Sequence, residues 1–293
     1  MPKKNGEGIV LNVPPKIKNM STNTQIYDSA KSVSPAIEEI KDVLKYKDLI
    51  IQLVRRDIIS RYKRSFLGIL WTMLNPLGTM IVLSVVFSRL FDMRGTYPAF
   101  VITNLVAFTF FSQTTSAALG SMLWGSELFQ RIYLPRTAFV LSTIGTGIVN
   151  ILFSLVPLII IYIFTKTPVT ETIILLPVAI LFLAAFALGF SLILSAFVVF
   201  FPDIAEMYPI LLTAWMYLTP IIYPEEMLAD VLGGWLLRLN PLYRLIRFFR
   251  LVTFDGAYPT LQEFIFAMLF SFGTLFIGWF FFTKQAKKFA YYV

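Results

Sequence analysis

From Ile69 to Phe282 the chain is a succession of long apolar runs, and its ionisable residues fall between those runs or at their ends. A helix adds about 1.5 Å per residue, so roughly 20 consecutive apolar residues cross the hydrocarbon core of a bilayer. Inside lipid the backbone must satisfy its own N–H and C=O groups, and a single apolar segment can do so only as a helix. Hydrophobic residues make up 57% of the 293 and charged residues 14%, far from the balance of a soluble globular protein. The expectation is an all-α, helical membrane protein.

Six segments are long enough to span, at about Gly68 to Phe91, Ala99 to Leu123, Thr137 to Phe164, Thr172 to Phe201, Met207 to Tyr223 and Phe264 to Thr283. Most of the 25 Lys and Arg residues then gather on one side; the exceptions are Arg89, Arg94, Lys166, Arg238, Arg244, Arg247 and Arg250. The positive-inside rule places both termini in the cytosol. The first stretch able to cross a bilayer begins near Phe66, so no signal peptide is expected at the start.

Residues 1–33 are rich in Lys, Pro, Asn, Ser and Thr without apolar periodicity, which reads as a disordered or loosely attached cytosolic tail. Residues 34–65 differ. Ser34 suits an N-cap, Pro35 the first helical position, and Glu38 and Glu39 the positive end of the helix dipole. Ile37, Ile40, Leu44, Ile51, Val54, Ile58 and Tyr62 recur at helical steps, giving an amphipathic interfacial helix with a bend near Lys45 to Lys47. The remainder, residues 66–293, is the transmembrane domain.

The connection between the fifth and sixth spans contains apolar stretches too short to cross, Met227 to Leu232, Trp235 to Leu239 and Leu242 to Val252, broken at Gly233-Gly234 and Asn240-Pro241. They read as short re-entrant or interfacial helices. Arg244, Arg247 and Arg250 recur every three residues in the last of them. Two readings stand: a solvated basic face on a surface-lying helix, or a lining for the exit of an anionic or sugar-rich substrate.

The run Arg55-Arg56-Asp57, Arg61-Tyr62-Lys63-Arg64-Ser65, Leu67-Gly68, Trp71 and Asn75-Pro76, followed by six spans and the Asn240-Pro241 to Arg250 segment, resembles the permease subunit of ABC-2 polysaccharide exporters. That family includes O-antigen permeases of the Wzm type and the TagG/TarG teichoic acid permeases. The resemblance implies a homodimer in the bacterial inner membrane, working with two copies of a separate ATPase that binds ATP and Mg, and moving an undecaprenyl-linked glycan outward. It also places the Ile37 to Tyr62 helix against the ATPase.

The chemistry of the chain fits that division of labour. It has no His and no Cys, which removes imidazole catalysis and the usual transition-metal ligands, and no cofactor or metal is expected. It has no G-x-x-x-x-G-K-[ST] phosphate loop, so hydrolysis is expected from a partner rather than this chain. Arg89, Glu171 and Glu206 lie at span ends, against an ion-coupled carrier. The net charge of +8 is juxtamembrane rather than nucleic-acid binding. An ABC-2 permease for a drug or lipid remains an alternative. So does a membrane enzyme of polyprenyl-linked sugar metabolism, although Asp92, Asp203, Asp230 and Asp255 show no paired spacing.

Three groups of candidate residues follow. A lipid pyrophosphate entering from the inner leaflet needs cationic partners, which Arg55, Arg56, Arg61, Lys63 and Arg64, with Tyr62, could supply; positive-inside placement alone also explains them. A glycan path is expected to offer aromatic faces, with Trp71, Phe108, Phe111, Trp215 and Tyr217 as candidates and Pro76, Pro209 and Pro220 as kinks around it. An ATPase needs a rigid cytosolic docking element, for which Ser126 to Leu134 is suited, with Glu127, Phe129, Arg131 and Tyr133 as contacts and Asp203 and Glu206 as a smaller second contact.

Overall fold

The computed structural model describes residues 35–63, 67–68, 70–91, 95–124, 135–232 and 234–286. The tail at 1–33, the cap residue Ser34 and the Ser126 to Leu134 element lie outside the described residues. Among those described, every regular element is helical.

Helix α1 (Pro35–Lys45) opens on the proline suited to that position, and α2 (Lys47–Tyr62) follows a break at Tyr46, inside the expected bend. Next come α3 (Leu70–Phe87), α4 (Tyr97–Trp124) and α5 (Thr137–Thr165). A 3₁₀ turn (Glu171–Leu175) leads into α6 (Leu176–Phe200), and α7 (Ile204–Tyr217) follows. Three short helices, α8 (Glu225–Leu232), α9 (Gly234–Leu239) and α10 (Pro241–Arg250), end in a π turn (Leu251–Asp255) before α11 (Leu261–Ala286).

Four stretches are long and apolar enough to cross a membrane by length and composition: Leu70–Phe87, Thr137–Thr165, Glu171–Phe200 and Leu261–Ala286. Helix α4 has the length, at 28 residues, but carries Thr103, Asn104, Gln113, Thr114 and Thr115. With 14 residues, α7 covers about 21 Å.

The fifth apolar segment was expected to stay helical to Tyr223; instead the helix stops at Tyr217. Pro220 has no N–H to donate and biases Thr219 away from helical dihedrals. The chain from Leu218 to Pro224 folds inward, leaving Thr219 and Ile221 fully buried. Its carbonyls are met by α4: Asn104 Nδ2 donates to Ile221 O at 3.2 Å and the Tyr97 hydroxyl to Ile222 O at 2.7 Å. Non-helical backbone buried in an apolar protein needs such donors, which explains why α4 is both polar and buried.

Helix α4 packs on α5, α6 and α3, and α11 packs along α6. The α6–α11 contact is set by two glycines. A Cβ on Gly189 would come inside 3.0 Å of the backbone of Thr274 and Leu275, and one on Gly278 inside 3.0 Å of the carbonyl of Gly189. Ala185–Gly189 and Thr274–Gly278 are therefore small-residue pairs four apart that let two backbones touch.

At the other end of the bundle, α1 is tied to α5 and α11. Thr137 Oγ1 donates to Glu39 Oε1 at 2.6 Å, and Trp279 Nε1 donates to Ala36 O at 3.3 Å. Burial pushes the Glu39 carboxyl above its ordinary pKa, opposed by the Thr137 bond. Of the apolar stripe, Val54 seats on Gly145 and the neighbouring Leu53 is buried, whereas Ile37, Ile40, Leu44 and Ile51 are exposed. Among the described residues none covers that apolar surface.

Candidate functional site

Asn240 is the hinge pin between α7 and α10. Its Oδ1 accepts from Leu242 N at 3.1 Å, Tyr243 N at 3.2 Å and the indole N–H of Trp215 at 2.9 Å. Its Nδ2 donates to Leu218 O and Thr219 Oγ1. The sequence reading used Asn240 only as a helix breaker; an Asn before Pro at a helix start is also an N-cap signal. Asn240→Ala should cost about 2 kcal/mol, the sum of a lost cap and an unpaired indole, and Asn240→Asp should recover part of it in thermal melts of the detergent-solubilised protein.

Two of the three arginines of α10, Arg247 and Arg250, are engaged by carboxylates instead of forming a free basic face, while Arg244 and Arg247 border a cavity. The helix is packed into the bundle, with Leu242, Tyr243, Leu245, Ile246, Phe248, Phe249 and Arg250 all buried. Arg247 pairs with Glu225 and, at 3.1 Å, with Glu263; Arg250 pairs with Glu225 at 2.9 Å and Asp255 at 3.5 Å, beside the Phe100 ring. Glu225 also accepts from the Tyr243 hydroxyl. Burial lowers the affinity of Arg247 for its proton, but Tyr243, Glu225 and Glu263 outweigh it and the net shift is upward. Burial, with Glu225 adding to it, pushes Tyr243 up to about 12. Burial also raises Asp255, against the pull of Arg250. The charge of Arg247 and Arg250 is thus spent within the protein. Arg244 has no carboxylate partner among the described residues: it lies over the Phe266 ring at 4.9 Å, donates to Arg238 O, and lines a cavity of about 750 Å³ with Arg238, Gln262 and the Arg247–Glu225–Glu263 cluster.

The aromatic candidates separate. Phe111 is fully buried, stacked on Phe186 at 5.4 Å and against Phe190 and Trp215, so it presents no face to a passage. Trp215 is half-buried and held by Asn240. Phe108 is buried and touches one edge of a cavity of about 300 Å³ between α4 and α7. Trp71 and Tyr217 are exposed, at 57% and 56%. Pro76 and Pro209 lie inside α3 and α7, and Pro220 lies beyond the end of α7.

In the basic segment, Arg55, Arg56 and Lys63 are exposed, and Arg56 pairs with Asp57 at 2.9 Å. Arg61 and Tyr62 close α2, but their side chains, like all of Arg64, lie outside the described residues. Glu127, Phe129, Arg131 and Tyr133 lie outside them too. Asp203 and Glu206 are exposed at the start of α7.

Long apolar helices, a polar helix held at their centre and short helices inserted between the last two long ones define a helical membrane domain. The chain belongs to the ABC-2 type transporter family, which it matches over residues 48–254, more than half its length. It is similar to the O-antigen export system permease protein RfbA of Myxococcus xanthus, 28% identical over 225 residues, 76% of this chain and 86% of the relative. It is also similar to RfbA of Klebsiella pneumoniae, 26% identical over 212 residues (71% and 81%), and to the polysialic acid transport protein KpsM of Escherichia coli, 22% identical over 230 residues (77% and 89%).

Proposed function

We propose that this chain is the permease subunit of an ABC exporter that moves a lipid-linked polysaccharide, such as an O-antigen, teichoic acid or capsule-like glycan, from the cytosolic to the outer side of the bacterial inner membrane. The observation that carries this reading is the family match together with similarity, over 76% and 77% of the chain, to permeases of O-antigen and polysialic acid export. In this reading α3, α4, α5, α6 with its 3₁₀ turn, α7 with the inward-folded chain after it, and α11 are six spans; α1 and α2 lie at the cytosolic interface, and α8 to α10 dip in from the outer side. The charge distribution supports both termini being cytosolic.

The chain works as a homodimer with two copies of a separate ATPase, which holds ATP and Mg. Asp203 and Glu206, exposed at the cytosolic end, meet that ATPase, as does the Ser126 to Leu134 element. Arg55, Arg56, Arg61, Lys63 and Arg64, with Tyr62, receive the lipid pyrophosphate, and Trp71 and Tyr217 remain as aromatic surfaces near the path.

Reconstitution tests the reading. The purified chain alone should not hydrolyse ATP, whereas proteoliposomes holding the chain and the ATPase encoded beside it should hydrolyse ATP and carry lipid-linked polysaccharide across the bilayer. Robust hydrolysis by the isolated chain, or a complete absence of polysaccharide movement by the complex, would sink it.

A further inference from the structure

Helix α4 has one face that does not belong in lipid. Ser112, Gln113 and Ser116 sit at three- and four-residue steps on a single side, Gln113 and Ser116 exposed, while Phe111, Thr114, Thr115 and Ala118 around them are buried. Gln113 lies about 16 Å from the nearer end of its helix, near the middle of the bundle. Among the described residues neither Gln113 nor Ser116 makes a side-chain hydrogen bond. Other long helices expose apolar residues such as Val85, Ile163 and Phe276, as a lipid boundary requires, with Asn75 and Thr79 of α3 as polar exceptions. A free primary amide at that depth is costly against hydrocarbon, so this face meets water or a polar partner.

Two hollows flank the face and meet at Gln113. One, of about 300 Å³, lies toward α7 and adds Ser112, Ser116 and Thr213. The other, of about 490 Å³, lies toward α2 and α5 and adds Ser121, Thr143, Asn150 and the Arg56–Asp57 pair. Thr114 and Thr146, both buried and without a hydrogen-bond partner among the described residues, stand in the wall of the larger hollow.

We infer that this groove is the surface along which an uncharged, hydroxyl-rich sugar chain slides. The inference rests on the permease reading and adds to it the residues that touch the polymer. Amides and hydroxyls both donate and accept, as sugar hydroxyls do, and a row of them gives many weak, exchangeable bonds in place of one tight site. Apart from the self-neutralised Arg56–Asp57 pair, the lining is uncharged. The polar face of α4, rather than the buried Phe111, is the sugar-contacting wall.

The chain has no cysteine, so single thiols report cleanly. In proteoliposomes holding the complex with its ATPase, Ser116→Cys and Thr213→Cys keep side-chain size and should fold; Val85→Cys and Ile163→Cys are the lipid-facing controls. A small charged methanethiosulfonate should modify the groove cysteines at least about 10-fold faster than the controls, because it reacts with thiolate formed in water. Lipid-linked polysaccharide from the cells that make this chain should slow that reaction about 10-fold, and bare undecaprenyl phosphate should leave it unchanged.

Groove cysteines as inert as the controls, or joined between two copies by mild oxidation, would make the face a lipid or subunit contact and overturn the inference. Reactive cysteines that polysaccharide does not protect, or that the bare carrier protects equally, would overturn it too. If the cysteine-free complex moves no polysaccharide on ATP addition, the permease reading itself fails, and the groove assignment with it. If it does move polysaccharide, a negative thiol result removes the groove assignment alone.

Discussion

Glu225→Gln should destabilise the protein by about 3 kcal/mol, measured as detergent-solubilised unfolding followed by intrinsic fluorescence. One carboxylate here serves the guanidinium groups of Arg247 and Arg250 and the hydroxyl of Tyr243. An amide offers a single oxygen and turns two N–H donors toward cations. Arg250, whose side chain is 9% exposed, would keep only Asp255 at 3.5 Å. Removing one partner of a buried pair leaves the other charge stranded, which costs more than the pair contributes when intact. Glu226→Gln, one residue on and exposed, should change stability by less than about 0.5 kcal/mol. A Glu225→Gln variant within that same margin would mean that solvent screens the cluster.

A comparable loss, about 3 kcal/mol or more, is expected for Gly278→Ala. Adding methylenes to a packed core costs about 1–3 kcal/mol when side chains can yield. Here the obstacle is the carbonyl of Gly189, which is backbone, so α6 and α11 must part along their length. Gly273→Ala is the control on the same helix: its Cβ would meet nothing within 4 Å, and it should be neutral or slightly stabilising. Equal melting temperatures for the two alanine variants would show that the helices are not held at backbone contact.

The helical segments were legible because apolar length and punctuation carry them. Gly233-Gly234 and Asn240-Pro241 mark where α8, α9 and α10 divide, and Pro35 marks where α1 begins. What the pattern could not carry was partnership across the chain. Arg247 and Arg250 recur as a basic stripe when only their own helix is read, yet Glu225 lies 22 and 25 residues away and Glu263 sixteen. The end of the fifth apolar segment failed for a related reason: hydropathy sees Leu218 to Tyr223 as more of the same span, whereas donors on α4 make an unwound course possible there. Among aromatic candidates, residue type says nothing of which way a side chain points, so Phe111 and Trp71 looked alike until packing separated them.

The burial of a polar α4 also sets an order for synthesis. Leu70–Phe87 can rest in lipid as soon as it leaves the ribosome, being apolar and mostly uncovered even in the finished fold. Helix α4 cannot. Thr103 and Thr115 can donate to carbonyls of their own helix at once, but the amide of Asn104 waits 117 residues for the carbonyl of Ile221. Until that partner is made, the second of the long helices must linger at the insertion machinery or in water at the membrane surface, so an element at the centre of the bundle reaches its final surroundings well after its own synthesis. A nascent chain halted before Ile221 would hold α4 in that unfinished state, with the Asn104 amide and the Tyr97 hydroxyl still lacking their carbonyl partners.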